Sequence, residues 1–290
     1  MLLQLNLLIK KIIEYGELNN KRRTPMNPYL PIRKVPLDYN GIESSAYSVQ
    51  MQHPEDGETF ANWKETGVVG HSYLLVDNDS VRKAANQVAE ECNFTFAHDK
   101  TFFNGRSYAY SMRSDYVAGE VAQNDDVALG MQFWNSYDGS KAFGFAMMLY
   151  RLICTNGMMS KDHFNTYRFK HQPSSGDWQE SLEQVVKNIN NLSDGSANLD
   201  GFLKNLRALN ELNVTTDELG RLRHNYLKDV PVQLWGNVVD RYTDPHNHID
   251  HNGWTLLNTA TDLLWHKEKP TVSSYNQNAI IVDGLCQAVA

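Results

Sequence analysis

The feature that most constrains this chain is a change of hydrophobic period at Pro173. Before it, apolar residues recur at every second position; after it, they recur at about every 3.6. The segment VALGMQFW (127–134) places Val127, Leu129, Met131 and Phe133 on one side of an expected strand. KAFGFAMMLYRLIC (141–154) reads as a long apolar strand, and HFNTYRFKHQ (163–172) as a polar one. Asn104-Gly105 between two alternating runs predicts a hairpin, because both residues tolerate positive φ. NSYDGS (135–140) is turn chemistry. Connections this short imply an antiparallel meander. Upstream, SYLLVD (72–77) reads as a strand, and Asp79 or Ser80 as the cap of a helix carrying Val81, Ala84, Ala85, Val88 and Cys92.

Beyond Pro173 the segments DWQESLEQVVKNINNL, NLDGFLKNLRALNEL, TTDELGRLRHNYL, VQLWGNVVDRY and GWTLLNTATDLLWHKE read as helices, with Asp177/Glu180 and Thr215/Glu218 as cap pairs. The expected fold is therefore α+β: an antiparallel β-meander with one early packing helix, followed by a helical C-terminal half. Residues 1–35 form a basic, proline-rich appendage in this reading, with Lys21, Arg22 and Arg23 as a possible supplementary arm and Pro25, Pro28, Pro31 and Pro36 opposing regular structure. Residues 36–172 form the α+β sheet domain, and 173–290 a helical region packed on it as part of one unit.

Composition narrows the function classes. The chain of 290 residues is 41% hydrophobic and 21% charged, an ordinary globular balance, and no apolar run is long enough to cross a bilayer. MLLQLNLLIKKII runs straight into two lysines without a small-residue cleavage site and is not read as a signal peptide. Cys92, Cys154 and Cys286 give neither a disulfide framework nor a metal knuckle, so a reducing cytoplasm is expected. The net charge is −7, but it is uneven: +4 over residues 1–40, −6 over 41–81, +1 over 82–171 and −6 over 172–290. An anion-binding face must come from the first and third of these blocks.

Four constellations bear on chemistry. DPHNHIDHNGW contains His246, His248, Asp250 and His251 in the HxHxDH spacing of metallo-β-lactamase-type hydrolases, where alternating imidazoles and a carboxylate bind zinc. The context opposes that fold: Asp244-Pro245 precedes the motif, and only 39 residues follow it. What remains is a generic divalent-metal site including Asp244, set against a polar loop that caps the next helix through Asn252. Second, Lys100, Phe102, Phe103, Arg106, Tyr108, Tyr110 and Arg113, with Tyr167, Arg168, Phe169, Lys170 and His171, interleave cations with flat rings. Single-stranded nucleic acid is bound by such means, although alternating aromatics in strands also build cores. Third, Ser136, Asp138 and His98, His163 or His171 could compose a triad, but no G-x-S-x-G elbow is present. Fourth, MLYRLICTNGMMS (148–160) raises Cys154 as a nucleophile. Its alternation with Leu152, Tyr150 and Met148 instead marks a small inward hydrophobe, and Asn156-Gly157 a turn. Arg151 shares the other face with Phe145, Met147, Leu149 and Ile153, so it must pair or meet an anion.

VVGHSYLLVDNDSV, the turn of Asn135, Ser136, Asp138, Gly139 and Ser140, the run R-L-I-C-T-N-G-M (151–158) and the helix W-T-L-L-N-T-A-T (254–261) together resemble the phage/plasmid-like family grouped as domain of unknown function 932, over about residues 65–268. The resemblance implies a phage, prophage or plasmid protein of the bacterial cytoplasm. The expected layout of helix and antiparallel sheet is, by analogy of fold, similar to that of phage single-strand annealing proteins, in which a sheet and helix line a groove on a ring. The expected function is then non-catalytic single-stranded DNA binding, with no cofactor and with self-association. Lys100, Arg106, Tyr108, Arg113, Arg151, Arg168 and Lys170 are the expected contacts. The alternatives are a metal-dependent hydrolase or nuclease using the 244–251 cluster, and a structural or host-interaction protein that docks through its acidic helical half.

Overall fold

Two antiparallel sheets carry the strands. The computed structural model describes residues 27–39, 42–53, 62–153, 156–162, 164, 166–172, 183, 186–187, 189–191, 197–247, 250–266 and 272–290. Lys21 to Arg23, Cys154, His163, His248 and most of the helix expected over 177–192 lie outside the described residues, although Glu183, Val186, Lys187 and Ile189 have helical backbone.

The first sheet consists of β1 (Ile32–Tyr39), β2 (Ile42–His53) and β3 (Asn62–Gly70) in sequential order. Pro36 does not prevent β1 from forming, because β1 is an edge strand and its register shifts between Pro36 and Asp38. An edge strand tolerates a residue without an N–H, and the shift absorbs its fixed φ. Val49, Met51, Val69 and Tyr137 form a small core under this sheet.

The segment expected as a strand at 72–77 joins no ladder: Ser72 lies in a turn, and 73–77 have no regular structure. Its links are to His171: Leu74 N donates to the His171 carbonyl oxygen at 2.9 Å, and the Tyr73 ring stacks on the imidazole. Asp77, not Asp79 or Ser80, caps the early helix α1 (Asn78–Glu91), with Oδ1 accepting from Ser80 N at 2.7 Å. Val81, Ala84, Ala85 and Val88 are buried as their spacing predicts.

The second sheet runs β4 (Phe96–Phe103), β5 (Ser107–Ala122), β6 (Asp125–Ser136), β7 (Phe143–Arg151) and β8 (Gly157–Met158) in that order. The expected meander is present. Asn104-Gly105 turns the first hairpin: Gly105 takes φ 90°, and Asn104 Oδ1 accepts from Arg106 N and Ser107 N. Only two residues separate β5 from β6, and Asn124 takes φ 59° there. The outer edge of β7 is shared: β8 pairs with Leu149 and Tyr150, while β9 (Thr166–Phe169) pairs with residues 143–146.

Alternation assigns the two faces of this sheet. Val127, Leu129, Met131 and Phe133 of β6 and Phe143, Phe145, Met147 and Leu149 of β7 point into the main core, together with α1 and the C-terminal helices. Each such side chain contributes about 1.5–3 kcal/mol on burial. Those helices are α2 (Ala197–Glu211), α3 (Thr216–Asn225), α4 (Val232–Tyr242), α5 (Gly253–Trp265) and α6 (Val272–Gln287). Thr215 caps α3 and Asn252 caps α5 through their side-chain oxygens, as their positions predict. The sequence reading does not anticipate α6. It buries Asn278, Ala279, Ile281, Val282, Asp283, Leu285 and Cys286, so no single apolar stripe marks it.

Candidate functional site

Strand register separates the predicted contacts. Residues directly opposed in an antiparallel ladder point to the same side. Two rows therefore cross the sheet on the face away from the main core: Phe102, Ala109, Trp134, Gly144 and Arg168, then Lys100, Ser111, Gln132, Ala146 and Thr166. Arg113, opposite Gly130, belongs to the same face. Tyr108 and Arg151 belong to the other.

Tyr108 is fully buried, and its hydroxyl lies 3.1 Å from that of Tyr29. Burial pushes its phenol well above the usual tyrosine range. Its ring is part of the core and offers no face on which a base could stack, which corrects the expectation from alternation alone. Arg151 donates from Nε and Nη2 to Asp125, which also accepts from Trp254 Nε1 at 2.7 Å. The requirement that Arg151 pair is met by a carboxylate of the chain itself. Lys100 donates from Nζ to the carbonyl oxygen of Trp265, the last residue of α5, and lies 5.8 Å from that ring. A cation there complements the helix C-terminus, and burial lowers the pKa of its ammonium. Arg106, Arg168 and Lys170 are exposed.

Arg168 opens onto a cavity of about 250 Å³. Its floor is Gln132, Trp134, Ala146 and Thr166; its rim carries Lys141 from the β6–β7 turn and Lys161 after β8; Asn276 and Ala279 of α6 close it. Among the described residues, three cations and no carboxylate line it. A second depression of about 210 Å³ shares Lys141 and Ala142 and adds Lys170 and His171, so the cationic surface is continuous. Among the described residues, Lys141, Lys161, Arg168 and Lys170 make no ion pair.

Two features shape the floor. The Trp134 ring packs against Gly144 of β7, where a Cβ would come within 2.6 Å of Cζ2; only glycine permits that approach. Gln132 is 0% exposed, gives Nε2 to Ser111 Oγ at 3.0 Å, and leaves Oε1 without a partner. The wall from 156 to 161 is fixed by the helices. Asn278 bridges the Gly157 carbonyl oxygen and Met159 N, and His266 Nε2 lies 2.9 Å from Asn156 Oδ1. Ser160 Oγ donates to Asp283 Oδ1 at 2.6 Å, and Lys161 N to Oδ2 at 3.0 Å. Asn156-Gly157 does not form the expected turn: Gly157 begins β8 opposite Tyr150, and the Asn156 carbonyl oxygen accepts from Arg151 N at 3.0 Å, so the two residues follow the chain reversal.

Among the described residues, the members of the remaining constellations have structural surroundings. His246, Asp250 and His251 are exposed in the loop before α5, the His251 ring meets Tyr242 edge-on, and Asn252 Oδ1 accepts from Thr255 N at 2.8 Å. Among the described residues no three His, Cys, Asp or Glu side chains are grouped to hold a metal; His248 lies outside them. Ser136 Oγ both donates to and accepts from the Lys141 backbone, so it holds the turn. Burial pushes the Cys92 and Cys286 thiols up to about 12, which suits small core hydrophobes. Lys141, Lys161, Gln132 and Trp134 are not singled out by the sequence reading. The available signal is the other side of VALGMQFW, where Ala128, Gly130, Gln132 and Trp134 set a polar and an aromatic residue among small ones.

An antiparallel meander packed against helices, with a partly roofed cavity on the sheet face away from the main core, defines an α+β protein. The chain belongs to the family described as Domain of unknown function (DUF932), whose model matches residues 65–281. That span includes the whole second sheet, the cavity and α5. No curated protein and no solved structure matches the chain.

Proposed function

We propose that this protein binds single-stranded DNA without catalysing its chemistry, in the DNA metabolism of a phage or plasmid, across the cationic cavity of the second sheet. One observation carries the reading: Lys141, Lys161, Arg168 and Lys170 gather on one continuous surface, with no carboxylate among the described residues that line the cavity, in a chain of net charge −7. Phosphates are the polyanions such a surface attracts, and Trp134 lines the cavity beside it with the exposed part of an aromatic ring. Arg106 sits on the hairpin turn at the same end of the sheet, where its carbonyl oxygen accepts from Tyr137 N at 2.8 Å.

Fluorescence anisotropy with a labelled, unstructured oligonucleotide tests the reading. Four phosphate contacts give a plot of log K against log salt with a slope of about −3, and Lys141→Ala with Lys170→Ala lowers its magnitude by about 1.4. Lys83→Ala, on the outer side of α1, leaves both unchanged. Absence of binding at about 50 mM salt, where counterion release favours such complexes, overturns the proposal.

A further inference from the structure

The orphaned carbonyl of Gln132 is informative about what the cavity holds. A buried amide oxygen without a partner costs about 1–3 kcal/mol, and such a group in a folded protein calls for an explanation. Here the rest of the carboxamide is fixed, since Nε2 is committed to Ser111, and Gln132 forms part of the cavity floor. A ligand that satisfies Oε1 must bring a hydrogen-bond donor, and the N–H groups of a nucleobase edge are donors of that kind. Beside it, the Trp134 indole packs over Gly144 and, at 9% exposed, presents only part of its ring to the cavity, next to the small side chains of Ala146 and Ala279. Arg168 lies in the same row as Trp134, two strands away, at roughly 10 Å given the spacing of neighbouring strands. Lys141 and Lys161 flank the opening.

From this arrangement we infer that the cavity accepts a single nucleotide unit. Its base stacks on Trp134 and gives a Watson–Crick-edge N–H to Gln132 Oε1, while its phosphate lies among Lys141, Lys161 and Arg168. Every base carries an N–H on that edge, so the pocket recognises the presence of a base more than its identity. The inference rests on the proposed nucleic-acid reading and gives the cavity a role that general phosphate attraction does not require. The nucleotide is either one unit of a bound strand, turned out of the stack into the cavity, or a free mononucleotide.

Three probes separate these cases: oligothymidylate, an abasic oligomer of equal length carrying the same phosphates, and thymidine 5′-monophosphate. Each is titrated against the full chain by anisotropy or by tryptophan quenching. The expected result is oligothymidylate binding about tenfold tighter than the abasic strand, the scale of one base stacked on an aromatic ring. Ala146→Leu, which fills the floor, removes that difference. Gln132→Met, which keeps the volume, weakens oligothymidylate about fivefold, the scale of one hydrogen bond. Circular dichroism confirms that each variant is folded. Quenching by the monophosphate that disappears in Trp134→Phe identifies free nucleotide as a ligand, and quenching only by the strand identifies the strand. Equal binding of the base-bearing and abasic strands overturns the inference and leaves the nucleic-acid reading standing. Binding of the monophosphate but of neither strand overturns that reading and leaves the pocket, and binding of no probe overturns both.

Discussion

Arg151 and Asp125 form a fork: guanidinium Nε lies 2.8 and 2.9 Å from the two carboxylate oxygens, and Nη2 lies 2.6 Å from Oδ2. Asp125 begins β6 and Arg151 ends β7, and the Trp254 indole reaches the same carboxylate from the first turn of α5. The pair therefore joins one end of the sheet to the helical half. The Asp125 side chain is only 6% exposed and that of Arg151 23%.

Removing one partner from such a pair leaves a desolvated charge. Asp125→Asn is expected to cost about 2–4 kcal/mol, toward the lower part of the range for buried pairs because Arg151 keeps some solvent contact. In a chain of this size that lowers Tm by several degrees. A double-mutant cycle with Arg151→Met, followed by urea denaturation, is expected to show coupling of about 1 kcal/mol or more. Strictly additive single effects would mean that the fork contributes nothing.

Gly144 is expected to resist even the smallest substitution. A Cβ there would meet the Tyr167 carbonyl oxygen at 2.5 Å as well as the Trp134 ring, and a backbone oxygen in a ladder cannot swing away. Gly144→Ala should cost about 1–3 kcal/mol, the usual scale for overpacking. The displaced Trp134 ring should also show altered fluorescence. A Tm and emission spectrum identical to wild type would contradict the packing described.

His171 gives the protein a pH dependence whose sign follows from its surroundings. It is 7% exposed, Nδ1 lies 2.9 Å from the Leu74 carbonyl oxygen, and Nε2 is buried without a partner. Protonation would place a charge in that enclosure, and burial lowers its pKa below the ordinary 6.5. The unfolded chain then binds a proton that the folded chain refuses. The stability contributed is complete above about pH 6.5 and is lost as pH falls from there toward the folded value. Thermal unfolding between pH 5 and 7.5 should show this decline in the wild type and a shallower one in His171→Gln, whose amide can still donate to Leu74. Parallel curves for the two proteins would remove His171 as the titrating group.

Legibility of the fold followed locality. The helix caps at Thr215 and Asn252, the Asn104-Gly105 hairpin and the strand at 127–134 are visible because each depends on a few neighbouring residues. The segment 72–77 has strand composition but finds no ladder, and α6 lacks an amphipathic stripe because it is buried on several sides. In both cases the deciding partner is distant in sequence. The same holds for the site. Arg168 and Lys170 are legible as cations on a strand, whereas Lys100 and Arg151 are recognisable as structural only once Trp265, Asp125 and Trp254 stand beside them.

The sequence by itself determined the class of fold, the antiparallel order of the second sheet and the inward sets of its strands, since period and turn chemistry are properties of short segments. The tertiary structure decided which cations share a surface. Lys141, Lys161, Arg168 and Lys170 come from three separate connections and a strand end, and only the register of β6, β7 and β9 and the docking of α6 bring them together around Gln132 and Trp134. That convergence depends on contacts across more than a hundred residues, which no local pattern encodes.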